Sequence, residues 1–302
     1  MKLKTPHLLT GTELSAHEIQ NLIDLAILLK RKRHLGQYQP LAGKQLAMIF
    51  DKQSLRTRMS FTIAMNELGG NTIESLSSNR KKEWPEDLAR VLNGYCHAVM
   101  VRTFEDDFLT RMAEVSTVPI INGLTELHHP CQILADLMTL QEVFGELKHL
   151  TITYIGDGNN ILHSLLLLAP MVGVRVQYAC PQAYTPTPQI VSMAQEKCPG
   201  LIAAYSSPEE AVQGAHAVYT DVWTSMGHEE ETQARLAAFQ GYQVNEELMK
   251  KAQNGAVFMH CLPMERGQEV SLALPDSPCS VIFRQSENRL HIQKAILLGL
   301  IK

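Results

Sequence analysis

Two hydrophobic patterns alternate along the chain. Short apolar runs, typical of buried strands, are followed by segments whose apolar positions recur every three or four residues, as in an amphipathic helix. The first helix is predicted over 16–33, because Ser15 and Glu18 form a capping box ahead of the helical repeat at Ile19, Leu22 and Ile23. Strands that alternate with helices pair in parallel, so the pattern predicts an α/β fold.

The strand–helix alternation is present twice. The first series has strands at 45–50, 71–74, 98–102 and 118–122, with helices near 55–68, 85–94, 105–115 and 131–144. The second series has strands at 150–156, 174–179, 201–204, 217–222, 256–260 and 281–284. A boundary near 145–149 therefore separates two open parallel-sheet lobes, doubly wound and joined by a helix, over 1–145 and 146–284. A last helix is predicted from about 285.

Composition excludes several classes of protein. The chain has 302 residues, 45% of them apolar and 19% charged, as in globular proteins. Its net charge of −4 argues against a nucleic-acid partner, and the basic run at 30–33 suits a helix C-terminus. The longest apolar stretch, 165–174, is too short to cross a bilayer. Six scattered cysteines and the absence of an apolar segment after Lys4 lead us to expect a cytoplasmic protein.

Polar residues collect where the predicted strands end, the edge at which open parallel sheets bind ligands. After the strand at 45–50 the chain reads Ser54-Leu55-Arg56-Thr57-Arg58, at the start of a helix. Backbone N–H groups and the positive end of the helix dipole favour an anion there, and hydroxyl and guanidinium groups add donors. This string predicts a phosphate site.

Two further strand ends of the first lobe carry candidate groups. Arg102 ends an otherwise apolar strand. Pro130 is expected in the first turn of a helix, with His129 just before it and Gln132 inside that turn. A lone histidine is more often structural, but one held beside a phosphate loop is a candidate donor to a carbonyl oxygen.

The second lobe offers a different set of groups. The segment 156–160, Gly-Asp-Gly-Asn-Asn, lacks the third glycine of a dinucleotide-binding turn, and no acidic residue ends the following strand. Asn159 or Asn160 is then either a ligand contact or an Asx-turn residue. Asp221 follows one strand, and His260-Cys261-Leu262-Pro263 follows another.

Two of these residues have several possible roles. Cys261 is a buried packing residue, a metal ligand or an acylated nucleophile, and the metal role is the least favoured because no second ligand pair stands at zinc spacing. The other five cysteines are assigned to packing or to the surface. Arg289, in the segment that begins the last helix, is either a surface charge or a further anion contact.

Six motifs in this order resemble those of the ornithine carbamoyltransferase family, within the aspartate/ornithine carbamoyltransferase superfamily. They span almost the whole chain and are 54–58 (SLRTR), 129–132 (HPCQ), 156–160 (GDGNN), 221–227 (DVWTSMG), 260–263 (HCLP) and 287–289 (ENR). The resemblance implies an N-terminal carbamoyl-phosphate lobe, a C-terminal ornithine lobe, a final helix 285–302 that returns to the first lobe, and a homotrimer or a multiple of trimers. It implies no metal and no cofactor.

The resemblance also implies roles for individual residues. Carbamoyl phosphate would be bound by Ser54, Leu55 (through its backbone), Arg56, Thr57, Arg102, His129, Gln132, Cys261, Leu262 and Arg289. L-Ornithine would be bound by Asn160, Asp221, Ser225 and Met226. The catalytic residues would be Arg102, His129, Asp221 and Cys261.

Two departures from the family pattern concern specificity. Leu55 stands where many members have Thr, which suits a role for its N–H alone. The segment 77–86 differs from a shorter Gly-rich acidic stretch in the family, in a loop that influences which amine is accepted. The expected reaction is carbamoyl transfer to ornithine. The alternatives are transfer to aspartate, putrescine or an N-acylornithine, a nicotinamide-dependent oxidoreductase, or a catalytically silent binding protein.

Overall fold

The computed structural model describes residues 2–33, 38–52, 54–76, 83–224 and 229–302. The chain divides into two compact units. One comprises Met1–Met138 together with Glu287–Lys302, and the other is the continuous segment Thr139–Ser286. None of the helices in the described ranges is both long enough and apolar enough to cross a membrane.

The first unit is built on a four-stranded parallel sheet in the order β2-β1-β3-β4. Its strands are β1 (Gln45–Phe50), β2 (Asn71–Leu76), β3 (Ala98–Arg102) and β4 (Ile120–Leu124). Its helices are α1 (Ala16–Arg31), α2 (Leu55–Glu67), α3 (Pro85–Asn93), α4 (Asp106–Val115) and the first part of α5 (Pro130–Phe144). The capping box of Ser15 and Glu18 is present at the start of α1.

The second unit has a five-stranded parallel sheet in the order β7-β6-β5-β8-β9. Its strands are β5 (Thr151–Ile155), β6 (Arg175–Ala179), β7 (Ile202–Ala204), β8 (Ala217–Thr220) and β9 (Val257–His260). Its helices are α6 (Asn160–Leu168), α7 (Pro188–Lys197), α8 (Pro208–Ala211), α9 (Thr232–Ala238), α10 (Glu246–Met249) and the start of α11 (Ile282–Leu300). The predicted α/β class with parallel sheets is confirmed.

The prediction of a strand at 281–284 is wrong, because α11 begins at Ile282. Just before this segment, Ser280 forms an isolated bridge to Phe258. A short apolar run cannot distinguish a strand from the first turn of a buried helix, and here Ile282 is buried while Phe283 is exposed. Arg289 therefore lies well inside α11 and not at its N-terminus.

Both chain ends contribute to the first unit. The N–H of Leu3 donates to the carbonyl of Gly299 at 3.0 Å, and Lys30 Nζ donates to Asn288 Oδ1 at 2.7 Å. These bonds join the C-terminal part of α11 to the N-terminal segment and to α1. They also place Arg289 in the same unit as the N-terminus of α2.

A histidine with the same hydrogen bonds precedes an inner strand in each sheet. His97 precedes β3 and His216 precedes β8, each within the tripeptide His-Ala-Val. The Nδ1 atom of His97 accepts from the N–H of Gln45 at 3.1 Å, and the Nδ1 atom of His216 accepts from the N–H of Thr151 at 3.1 Å. The backbone N–H of His97 donates to the carbonyl of Gln45, and the backbone N–H of His216 donates to the carbonyl of Thr151, both at 2.8 Å. Each imidazole thus extends the pairing of two strands by one step.

We expect His97→Ala and His216→Ala each to lower the free energy of unfolding by about 1–3 kcal/mol, the cost of leaving a partly buried N–H without its acceptor. Urea denaturation followed by circular dichroism measures the change. His17→Ala, at an exposed position of α1, is the control and should have little effect. Equal stabilities for all three variants would contradict the structural role of the two imidazoles.

Candidate active site

The N-terminus of α2 is a cluster of hydrogen-bond donors at the end of β1. Ser54 is the N-cap, and its Oγ accepts from the N–H of Thr57 at 3.1 Å. The first N–H groups of an α-helix have no acceptor within the helix, and the helix dipole is positive there. The Leu55 side chain is 72% exposed, so this residue offers the site its backbone, while Arg56 is half-buried.

Two buried arginines converge on one hydroxyl of this helix. Arg102, at the end of β3, places NH1 3.4 Å from Thr57 Oγ1, and Arg289 of α11 places NH2 2.7 Å from the same atom. A hydroxyl has two acceptor lone pairs and one proton to donate. With both lone pairs facing guanidinium groups, the Thr57 O–H is left to donate to an acceptor such as an anion.

The start of α5 adds two buried side chains to the first unit. The carbonyl of His129 accepts from the N–H groups of Gln132 and Ile133, as the sequence predicted from Pro130 at the first helical position. Gln132 Nε2 donates to Asp136 Oδ1 at 2.8 Å. Gln132 Oε1 is buried and accepts no hydrogen bond from any residue within the described ranges. The amide oxygen can therefore accept from a ligand N–H.

The electrostatic potential at His129 is positive. Burial holds its pKa well below 6.5, and Arg289 and then Arg102 lower it further. The imidazole is therefore neutral at pH 7 and can both donate and accept a hydrogen bond. A dianion bound nearby would offset the two guanidinium charges.

In the second unit, the Asp221 carboxylate follows β8 and accepts hydrogen bonds from three groups among the described residues. Oδ1 accepts from the N–H of Val222 at 2.9 Å and from the Cys261 thiol at 3.0 Å, and Oδ2 accepts from Asn159 Nδ2 at 2.8 Å. Asp221 and Cys261 follow the neighbouring strands β8 and β9, and their side chains are in contact. In this arrangement Cys261 is a thiol donor, so it becomes a nucleophile only after losing that proton.

The segment after β9 is held by a buried imidazole. His260 Nδ1 accepts from the N–H of Leu262 at 2.9 Å, so its Nε2 carries the proton and donates to Glu269 Oε1 at 3.1 Å. Leu262 has φ +58°, a left-handed backbone conformation that non-glycine residues rarely adopt and that is often found at functional sites.

Asp221, His260 and Cys261 offer atoms of the kinds that bind metals within 4.8 Å of one another. Both ring nitrogens of His260 already make hydrogen bonds, so a metal would have to displace one of them. The preference against a metal at Cys261 stays a prediction.

Sequence reasoning missed a buried ion pair beside these residues. Arg235 of α9 donates through NH1 to Asp157 Oδ2 at 2.9 Å and to the carbonyl of Trp223 at 3.0 Å. Its guanidinium also lies over the Tyr184 ring. An arginine in a polar helical segment gives no sign of burial. The close packing of Gly158 on Thr185 and Pro186 leaves no room for a Cβ there.

The remaining predicted residues have mixed outcomes. Asn159, left open between two roles, is the N-cap of α6, and its Oδ1 accepts from the N–H groups of Ile161 and Leu162. Asn160 is the half-buried first residue of that helix. Ser225, Met226 and residues 77–82 lie outside the described residues.

Two family models match nearly the whole chain. A family model described as the carbamoyl-P binding domain of aspartate/ornithine carbamoyltransferase matches residues 6–142, and one described as its Asp/Orn binding domain matches residues 148–300. The chain belongs to the aspartate/ornithine carbamoyltransferase family. The resemblance seen in the six motifs is thereby confirmed.

Relatives within this family match over almost their full lengths. The chain is 44% identical to ornithine carbamoyltransferase of Anoxybacillus flavithermus, covering 100% of this chain and 98% of the relative. It is 45% identical to that of Archaeoglobus fulgidus, covering 98% and 97%. The solved structure of ornithine carbamoyltransferase from Pyrococcus furiosus superimposes with a TM-score of 0.94 at 41% identity, covering 98% of this chain and 96% of that one.

We expect His129 to titrate below pH 6.5 in the free protein, and Arg289→Gln to raise its pKa while leaving it below 6.5, since burial is the larger cause. Because the unfolded chain binds this proton and the folded chain does not, His129 contributes stability that is lost as pH falls below 6.5. Imidazole NMR titration measures both values, and Arg90→Gln, at an exposed helix position, is the charge-matched control. A wild-type value above 6.5, or an unchanged value in Arg289→Gln, would contradict the positive potential.

Proposed function

We propose that the protein transfers the carbamoyl group of carbamoyl phosphate to the side-chain amine of L-ornithine, giving L-citrulline and phosphate. The observation that carries the proposal is the convergence of Arg102 and Arg289 on Thr57 at the N-terminus of α2. This cluster lies within the unit that contains most of the match to the carbamoyl-P binding model. The full-length relatives named as ornithine carbamoyltransferases support the choice of amine.

In the proposed site, carbamoyl phosphate binds to the first unit through its phosphate. The phosphate oxygens accept from Ser54, the backbone of Leu55, Arg56, Thr57 and Arg102. The geometry at Thr57 supports this, because its hydroxyl proton is the part of that group left for a ligand. His129, Gln132 and Arg289 contact the carbamoyl group, where the open Oε1 of Gln132 suits the carbamoyl NH₂.

The amino-acid substrate is proposed to bind to the second unit. Asn160, Asp221, Ser225 and Met226 hold ornithine, and the Asp221 carboxylate provides the charge that an ammonium group requires. Cys261 and Leu262 are proposed to line the site around the reacting carbonyl carbon. The domain assignment follows: residues 1–145 with 285–302 bind carbamoyl phosphate, and residues 146–284 bind ornithine.

The chemistry requires orientation and charge more than it requires a cofactor. Phosphate is a good leaving group, so a neutral amine can attack the carbonyl carbon directly. For an amine that resembles lysine, deprotonation at pH 7 costs about (10.4 − 7) × 1.36 ≈ 4.6 kcal/mol, and we assign Asp221 and Cys261 to orienting that amine and passing on its proton. Arg56, Arg102 and His129 stabilise the developing oxyanion and the departing phosphate. No metal or cofactor takes part in this proposal.

Incubation with carbamoyl phosphate and L-ornithine is expected to yield citrulline and phosphate, with initial-velocity lines that intersect as a ternary complex requires. Colorimetric citrulline measurement tests this. Aspartate, putrescine and N-acetylornithine are run at the same carbamoyl phosphate concentration. Carbamoylation of one of these amines in place of ornithine would overturn the substrate assignment, and no transfer to any amine would overturn the activity.

Arg56→Ala is expected to lower kcat by about 10²–10³-fold, the effect of losing one well-placed donor to the transition state. Arg90→Ala is the control, because Arg90 is an exposed helix residue whose ion pair with Asp87 lies at the surface. Circular dichroism verifies that both variants fold. Near-normal turnover in folded Arg56→Ala would contradict the phosphate assignment.

The protein is also proposed to be a homotrimer, or a multiple of trimers, in the cytoplasm. Apolar side chains are exposed on the first unit, including Met59 of α2 at 51%, Ile73 at 59% and Trp84 at 68%. Ile73 lies on β2, at an edge of its sheet, where backbone groups and side chains are available for contact with another chain.

Light scattering coupled to size exclusion is expected to give about 101 kDa, three times the 33.7 kDa of one chain, or a multiple of that mass. Ile73→Lys should reduce the measured mass, because it places a charge on the exposed face of β2. A monomeric or dimeric wild-type protein would contradict the assembly.

A further inference from the structure

The Asn159 side chain lies at the centre of a hydrogen-bonded chain in the second unit. Its Oδ1 accepts from the N–H groups of Ile161 at 3.0 Å and Leu162 at 3.3 Å, and it lies 3.3 Å from the hydroxyl of Tyr154. Its Nδ2 donates to Asp221 Oδ2 at 2.8 Å. The helix N-terminus and the carboxylate therefore use opposite ends of one amide.

This arrangement allows only one orientation of the amide. If the group were flipped, its NH₂ would face the two N–H donors of α6, and its oxygen would face the Asp221 carboxylate. Both contacts would be repulsive. The start of α6 thus determines that a donor, and not an acceptor, faces Asp221.

The Tyr154 hydroxyl provides a third donor to Asn159 Oδ1. Tyr154 lies on β5 and is fully buried, and burial raises its pKa well above 10, with further contributions from Asp221 and Asp157. The phenol therefore keeps its proton and donates it. Hydrogen bonds in a chain polarise one another, so this donor strengthens the bond from Asn159 to Asp221.

We infer that Asn159, held by the Tyr154 hydroxyl, is a positioning residue that fixes the Asp221 carboxylate and, through it, the Cys261 thiol. Neither Tyr154 nor Asn159 contacts the substrate in this assignment. The inference rests on the proposed function, in which Asp221 binds the amino acid. It predicts that removing a hydrogen bond between Tyr154, Asn159 and Asp221 weakens ornithine binding and leaves carbamoyl phosphate binding unchanged.

Tyr154→Phe removes one hydroxyl and keeps the ring. We expect KM for ornithine to rise about two- to tenfold, the effect of losing one hydrogen bond, with KM for carbamoyl phosphate unchanged. Tyr178→Phe is the matched control, because Tyr178 is buried and pairs in register with Tyr154 on β6. An equal rise in both variants would show a general loosening of the core and would overturn the inference, as would an unchanged KM for ornithine in Tyr154→Phe.

Asn159→Asp separates positioning from helix capping. Aspartate is as good an N-cap as asparagine, so α6 keeps its cap, but two carboxylates now face each other across the position of the 2.8 Å bond. Such a pair shares a proton. Among the described residues, the Asp157 carboxylate and the thiols of Cys180 and Cys261 also act electrostatically on Tyr154. Asp157 is paired with Arg235, and the Cys261 thiol donates to Asp221.

We expect kcat/KM for ornithine in Asn159→Asp to fall at least tenfold at pH 8 relative to wild type, and the deficit to shrink as pH is lowered and the pair takes up its proton. A merely structural role gives the same deficit at every pH, which would overturn the inference. Wild-type citrulline formation is measured in parallel. If it is absent, the proposed function fails; if it is present and the variants leave ornithine kinetics unchanged, only the positioning role fails.

Discussion

The first unit depends on the burial of two positive charges at the N-terminus of α2. Arg102 and Arg289 share Thr57 Oγ1, although Thr57 and Arg289 are 232 residues apart in the chain. Guanidinium groups tolerate such sites because they are weakly hydrated and present several donors. The helix dipole adds positive potential at the same place. Two guanidinium groups and a helix N-terminus at one place favour the binding of an anion.

In the second unit the corresponding constraint is a carboxylate surrounded by donors. The Asp221 carboxylate accepts hydrogen bonds from the backbone N–H of Val222, the side-chain amide of Asn159 and the thiol of Cys261. Hydrogen bonds from several directions fix the orientation of such a carboxylate. The two units therefore differ in the groups they present at their strand ends, guanidinium groups around Thr57 in the first and the Asp221 carboxylate in the second.

Much of this arrangement was predictable from the sequence, because strand ends of a parallel sheet share one edge. Ser54, Arg102, Asp221 and Cys261 were found from that rule alone, before any family resemblance. Contacts between the strand ends and residues elsewhere in the chain were not predictable. The partner of Asp157 is Arg235, and Glu269 fixes the proton on His260, yet neither residue follows a strand or belongs to a motif.

The wrong prediction of a strand at 281–284 also reflects what local sequence cannot specify. Hydrophobicity reports that Ile282 is buried but not which backbone conformation buries it. As a result Arg289 was assigned to the start of a helix, whereas it reaches Thr57 from within α11. The contact depends on the path of the last helix, which local sequence does not specify.

The composition of the first unit from both chain ends has a consequence for biosynthesis. The second unit is the continuous segment 139–286, so it can fold as soon as that segment has left the ribosome. The first unit lacks part of its core until Glu287–Lys302 has been synthesised. The segment translated first is therefore the last to reach its native packing, and the guanidinium of Arg289 reaches Thr57 only at that final step.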